Sequence, residues 1–166
     1  MMYDEQKWLE KICDEMGSLL LGYLKAYLRN EHDAEDVLQQ VFIRLLQSNR
    51  KDYEIHNLRS FLFTLASHEA QRFLSKNKKH RLSAINSIPD NLLENKPDSS
   101  LSPQETAGLQ EAFLSLPWEQ QEVIYLKIYA QMTFEEISLS LSIPLNTVAS
   151  RYRYGMEKIK KNYGLC

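Results

Sequence analysis

The sequence predicts an all-α protein: two small helical domains joined by a flexible linker, the second ending in two helices about a tight turn. Three observations predict it. Sustained apolar stretches repeat with the three-and-four spacing of a helix, and alternating strand patterns are absent. The run Ser83–Pro103 (SAINSIPDNLLENKPDSSLSP) breaks that periodicity and holds three of the five prolines. Beyond it, capping boxes and prolines cut the last third into short helices. At 166 residues there is room for one domain or two small ones, at roughly 150 residues each.

The first helix is expected from Tyr3 or Asp4 to Arg29, carrying Trp8, Ile12, Leu19, Tyr23 and Tyr27. Asp33 is the expected N-cap of the second. There Ala34, Val37, Leu38, Val41, Phe42, Leu45 and Leu46 advance by three then one, an apolar stripe for the domain's own core. A third helix, Leu58 to Ser75, carries Phe61, Leu62, Leu65, Ala66 and Phe73. The polar run that follows is too long for a structureless loop inside one compact domain, so it reads as a linker, partly extended by Pro89 and Pro97.

Ser102-Pro-Gln-Glu105 is a capping box with Pro103 at the first helical position, and its helix should end near Leu116. Pro117 opens the next, through about Tyr129, with Val123, Ile124, Leu126 and Ile128 as apolar bulk. Thr133-Phe-Glu-Glu136 is a second capping box, for a short helix to about Leu141. Pro144 forces a break before a last helix, Leu145 to Lys161. The expected domains are therefore residues 1–82 and 104–166, with the linker at 83–103.

Composition narrows the function classes. Hydrophobic residues make 43% and charged residues 25%, a globular balance. No apolar run reaches the ~18 residues of a membrane span, and the acidic start (Asp4, Glu5) lacks a signal-peptide pattern. Cys13 and Cys166 are too sparse for a disulfide scaffold or metal cluster. Cys13 reads as a small buried residue, and a reduced, cytoplasmic location is expected. The net charge of −2 hides segregation. Arg72, Lys76, Lys78, Lys79 and Arg81 form one basic zone, and Arg151, Arg153, Lys158, Lys160 and Lys161 a second. Six acids and Lys127 alone lie between Glu105 and Asn146. Two basic zones fit two contacts with a polyanion, or two solvated faces.

Thr133 to Ile159 has the plan of a helix-turn-helix, whose second helix enters the major groove of DNA. Val148, Tyr152, Gly155 and Ile159 would face inward, onto Phe134, Ile137 and Leu141. Asn146, Thr147, Ser150, Arg151, Arg153 and Tyr154 would face outward. Short polar groups let a helix end approach base edges, and arginine reaches guanine or phosphate. Spacing alone serves equally well a helical hairpin packed on something else.

Three stretches resemble a known family. Leu116-Pro-Trp-Glu-Gln-Gln-Glu-Val-Ile-Tyr-Leu, Thr133-Phe-Glu-Glu-Ile and Ile143-Pro-Leu-Asn-Thr-Val-Ala-Ser-Arg resemble the C-terminal, promoter-reading domain of bacterial sigma factors. Within the sigma-70 superfamily the nearest look is to the extracytoplasmic-function (ECF) group. Independently, Asp33-Ala-Glu-Asp-Val-Leu-Gln-Gln-Val-Phe-Ile-Arg-Leu resembles the family helix that docks on RNA polymerase. The matches stand in the family's order and together span nearly the whole chain.

That resemblance implies a monomeric factor that brings core RNA polymerase to promoter DNA, one domain on the −10 element and the other on the −35 element. Asp33, Asp36, Gln39, Gln40 and Arg44 are implied as the polymerase-docking set; Asp36 and Gln40 are neighbours four residues apart. Family members usually have glutamate in place of Gln40. The implied −10 set, for duplex and melted strand, is Arg59, Ser60, Phe61 and His68 near the bases, with Arg72, Lys76, Lys78 and Lys79 along the phosphates. Phe61 fits the core equally well. Asparagine is usual where His68 stands and aspartate where Arg72 stands, which puts the −10 sequence preference in question.

In the implied −35 helix, Asn146 and Ala149 replace a usual glycine and lysine, and basic residues near Tyr154 and Met156 are missing. Each lost phosphate contact lowers the salt slope of binding by about one unit, so the free chain should hold DNA weakly. A controlling anti-sigma protein is also implied.

Rival classes have their own requirements. An enzyme would need a phosphate loop, metal-ligand spacing or a nucleophile elbow, and the sequence offers none, nor any cofactor motif. Glu135 and Glu136 are adjacent, but about 100° apart on a helix, and capping accounts for Glu136. A helix-turn-helix regulator outside the family would need a dimer surface or effector pocket, and no Asp33–Arg44 pattern. A sigma-like protein-binding module without promoter activity is the third alternative, kept open by the thinned cations of the last helix.

Overall fold

The computed structural model describes residues 2–48, 55–77 and 102–164. Among them are seven α-helices and no strand: α1 (Met2–Leu28), α2 (Glu31–Gln47), α3 (Ile55–Lys76), α4 (Pro103–Leu114), α5 (Trp118–Ile128), α6 (Phe134–Leu141) and α7 (Leu145–Tyr163). They fall into two units, Met1–Pro89 and Asp90–Cys166. Nearly all of the expected linker 83–103, with its boundary at 82, lies outside the described residues.

In the first unit α1, α2 and α3 pack on one another in every pairing. Acids in the first turn of α1 and Lys25 in its last match the helix dipole. Arg29 then takes a left-handed conformation, φ 53°, which stops the helix one residue before the expected end. Asn30, in extended backbone, is the N-cap of α2: its side-chain oxygen accepts the Asp33 N–H at 2.9 Å. Asp33, expected in that role, sits inside the first turn instead. Asparagine caps as well as aspartate, and the left-handed turn at Arg29 brings the chain round early enough to use it. Lys25 reaches Glu31 across this turn at 2.8 Å and holds its carboxyl below the usual range, by hydrogen bond first and charge second.

Leu20, Tyr23 and Leu24 of α1, Val37, Val41 and Leu45 of α2, and Leu62, Phe63 and Ala66 of α3 form the buried centre. Tyr23 meets Phe63 edge-on at 5.5 Å, a favoured aromatic geometry. Leu46 departs from expectation: it lies ~100° round α2 from Leu45, outside the stripe, and is 41% exposed. Cys13 is half-buried rather than buried. Burial, then Asp14 and Glu10, push its thiol pKa up, the opposite of an activated thiol.

The second unit is built around α5. Gln121 through Leu126 are all buried, so this helix is covered on every side, although Ile128, expected in the core, is 44% exposed at its end. The capping box of α4 is present, with Glu105 N–H on Ser102 Oγ at 3.3 Å and Ser102 N–H on Glu105 Oε2 at 2.8 Å. α4 ends at Leu114, two residues early, and Gln121 Nε2 donates to the carbonyls of Leu114 (3.2 Å) and Leu116 (2.7 Å). These are the orphan acceptors of a helix end. Tyr125 stacks on Tyr129 at 4.8 Å, and burial raises the pKa of both hydroxyls. α7 crosses α5 at Gly155, where an added Cβ would lie 2.6 Å from Ile124 Cδ1. Ile124 is itself buried and has little room to retreat.

A Gly155→Leu change should therefore overpack this crossing and destabilise the second unit by about 1–3 kcal/mol. Hydrogen exchange of the full chain should show faster opening over residues 118–163 with residues 2–48 unchanged.

Candidate nucleic-acid interface

A short helix needs a fixed start, and Thr133 fixes α6. Glu136 N–H donates to Thr133 Oγ1 at 3.1 Å while Thr133 N–H donates to Glu136 Oε2 at 2.7 Å. α6 ends in left-handed backbone at Ser142 (φ 54°), whose N–H bonds the Ser138 carbonyl. The Ser138 hydroxyl then donates to the Ile143 carbonyl at 2.6 Å, which closes the turn. Pro144 supplies the carbonyl that accepts from Thr147 (3.0 Å) and Val148 (3.1 Å), and α7 begins.

At about 100° per residue, Asn146, Thr147, Ser150, Arg151, Arg153 and Tyr154 occupy one sector of roughly 160° on α7. Val148, Gly155 and Ile159 point the other way and are buried. Tyr152 lies beside them, half-buried against Phe134 at 5.4 Å. Asn146, Arg153 and Tyr154 are exposed; Thr147, Ser150 and Arg151 are half-buried. The Arg153 guanidinium rests 5.0 Å above the Tyr154 ring, within cation–π range. The first turn of α7 has no acid, so the positive end of its dipole adds to a surface suited to an anion.

The α3 set divides. His68, Arg72 and Lys76 are exposed at four-residue steps and form a row, with half-buried Phe61 nearly in line behind them. Ser60 is half-buried and its carbonyl accepts the Thr64 hydroxyl at 2.8 Å. Arg59 is also half-buried, but nine residues from His68 it sits half a turn round the helix, away from that row. Lys78 and Lys79 lie outside the described residues.

On α2, Asp36, Gln39, Gln40 and Arg44 are exposed and Asp33 is half-buried, in one sector of roughly 140° beside the core stripe, with Arg44 only about 20° round from buried Val37. His32 Nδ1 is 3.3 Å from Asp36 Oδ2. Ile43, 45% exposed, stands in the middle of this sector, with Leu46 at its edge. Arg44, at the border with α3, places Nε 3.2 Å from Oε1 of Glu69. Arg72 places NH1 3.6 Å from the same oxygen. A groove of about 170 Å³ lies there, lined by Val37, Gln40, Arg44, Glu69, Arg72, Phe73 and Lys76.

Residues 13–80 match the family model Sigma-70 region 2, and residues 106–159 match Sigma-70, region 4. The chain belongs to the sigma-70 family of bacterial RNA polymerase sigma factors. The ECF RNA polymerase sigma factor SigE of Mycolicibacterium smegmatis is 28% identical over 138 residues, 79% of this chain and 52% of that protein. ECF RNA polymerase sigma factor SigW of Bacillus subtilis is 29% identical over 147 residues, 81% of this chain and 77% of SigW. The chain thus spans about half the length of the first relative and three quarters of the second. The fold resembles that of the sigma factor RpoE from Bartonella quintana, solved in complex with the anti-sigma factor NepR. The TM-score is 0.67 at 17% identity, over 94% of this chain and 98% of that one.

In region 2 the sequence reading missed Glu69, Ile43 and His32. Glu69 had a signal: it is the only acid in α3, one turn before Arg72 and beside the apolar stripe. Ile43 had none beyond its place among polar neighbours. In region 4 the expected inward set holds Val148, Gly155, Ile159 and Ile137 buried but Tyr152, Phe134 and Leu141 only half-buried, and of the expected outward set Thr147, Ser150 and Arg151 are half-buried too.

Thr133→Ala removes the cap that seats α6 without touching the outward face of α7. It should cost region 4 about 1 kcal/mol, read as earlier exchange of α6 and α7 amides in the full chain under urea.

Proposed function

We propose that this chain is an ECF-type sigma factor that binds core RNA polymerase, directs it to promoters and supports strand opening, without catalysis or cofactor of its own. What carries the reading is the pairing of region 2 with region 4 in the family's order, with Asp36, Gln39 and Gln40 of α2, His68, Arg72 and Lys76 of α3, and Asn146, Arg153 and Tyr154 of α7 exposed. In this reading α2 docks on the polymerase through Asp33, Asp36, Gln39, Gln40 and Arg44, with Ile43 as an apolar centre. The row His68, Arg72 and Lys76 meets the −10 DNA, with Lys78 and Lys79 continuing along the phosphates and Arg59 and Ser60 at the start of α3. Asn146, Thr147, Ser150, Arg151, Arg153 and Tyr154 enter the −35 major groove.

Charge supports the division of labour. The reading sector of α7 holds two arginines, and the lysine expected at Ala149 is missing, so phosphate neutralisation is thin. Polymerase offsets that weakness by holding both domains over the same duplex at high effective concentration. The working site is the cytoplasm, and no helix among the described residues is long and apolar enough to cross a membrane. An anti-sigma protein that covers these faces is the expected regulator.

Run-off transcription with core polymerase over a random promoter library tests the reading. Enriched sequences should appear at two spaced elements, and a library with no enrichment would overturn it. Replacing Arg151 and Arg153 together by alanine should lower −35-dependent initiation about tenfold and reduce the salt slope by up to about two units, with polymerase association intact. Asp36→Arg should weaken polymerase association about tenfold by setting a cation where the docking face carries an acid; unchanged co-purification would remove Asp36 from that face.

A further inference from the structure

Glu69 is a carboxylate with a side chain only 10% exposed, and a charge taken that far from water needs partners. It draws them from two helices that the proposed function assigns to different tasks. Arg44 comes from the polymerase-docking face of α2, and Arg72 from the DNA-facing row of α3, one turn beyond Glu69 itself. Both converge on one oxygen, Oε1, at 3.2 and 3.6 Å. Arg44 approaches with Nε and Arg72 with a terminal nitrogen, so one carboxylate serves α2 and its own helix. Arg72 is half exposed and its long side chain would otherwise sample many rotamers; the buried carboxylate gives it one anchor.

We propose that Glu69 is a positioning residue shared by the two faces of region 2. It holds the Arg72 guanidinium at a set height beside His68 and Lys76, and ties α3 to the docking helix through Arg44. This rests on the reading of the chain as a sigma factor. Glu69 itself touches neither DNA nor polymerase; its effect passes through the arginines. A formal consequence is non-additivity, since Glu69 and Arg72 act on promoter opening as one unit.

The test uses holoenzyme assembled from core polymerase and the full chain, at polymerase concentrations that saturate association. Promoter opening is read by permanganate reactivity of −10 thymines. Glu69→Gln, which keeps shape and loses charge, should slow opening about tenfold, as should Arg72→Gln, and the double variant should be no slower than Arg72→Gln alone. Arg72→Lys, at an exposed position where folding is not at risk, keeps the charge but not the fork and should also be slow. An opening rate for Glu69→Gln equal to or above wild type would make the carboxylate a mere counter-charge and overturn the proposal. So would multiplying effects in the double variant, or a wild-type rate for Arg72→Lys. A wild-type chain that opens no promoter with polymerase would instead fell the sigma-factor reading, and this inference with it.

Discussion

Gly155 lets α7 press close against Ile124 of α5, and that crossing decides which side of α7 faces water. With Val148, Gly155 and Ile159 turned onto the core, the opposite sector has to carry Asn146, Ser150, Arg151 and Arg153. A helix has one apolar stripe to hide, so satisfying it fixes the rotation of everything else on the same cylinder. α2 obeys the same constraint through Val37, Val41 and Leu45. In both units the proposed contact surface is what remains once the core has been satisfied.

The turns then set where each helix begins. Asn30 and Thr133 each accept the backbone N–H three residues on, which stabilises a helix start by about 1 kcal/mol and removes its freedom to slide. Left-handed backbone at Arg29 and Gln131 supplies the sharp change of direction before each. Neither residue is glycine, so each turn carries roughly 1 kcal/mol of conformational cost, offset by the packing of the helices on either side.

Electrostatics in region 2 is more economical than the sequence count implies. Arg44 and Arg72 look like two free cations, yet both are answered by one carboxylate. Arg72 therefore brings less unscreened charge to the row than its place in a basic zone indicates. What it gains is a defined direction. In region 4 no acid answers Arg151 or Arg153 within salt-bridge distance among the described residues, and Arg153 leans on Tyr154 instead. Arg72 is thus anchored to a carboxylate, whereas Arg153 is laid against an aromatic ring.

Much of this was legible from residue order alone. Helical periodicity, two capping boxes and the prolines at 117 and 144 placed all seven helix starts within about three residues, because capping and hydrogen-bond loss at proline are local effects. The paired motifs gave the family. The sectors of α2 and α7 followed from 3.6-residue geometry, since the buried residues of each helix are themselves apolar. What tertiary structure alone decided was anything that depends on a neighbouring helix. Ile128 was left exposed at the end of α5 in this way, whereas Leu46 lies about 100° round from Leu45, and Arg59 half a turn from His68, by helix geometry alone. Above all, Glu69 joined two arginines 28 residues apart in sequence, a pairing that exists only because α2 and α3 pack side by side. Local physics sets where a helix runs and which face is oily, whereas charge partners across helices are set by packing, which no single segment encodes.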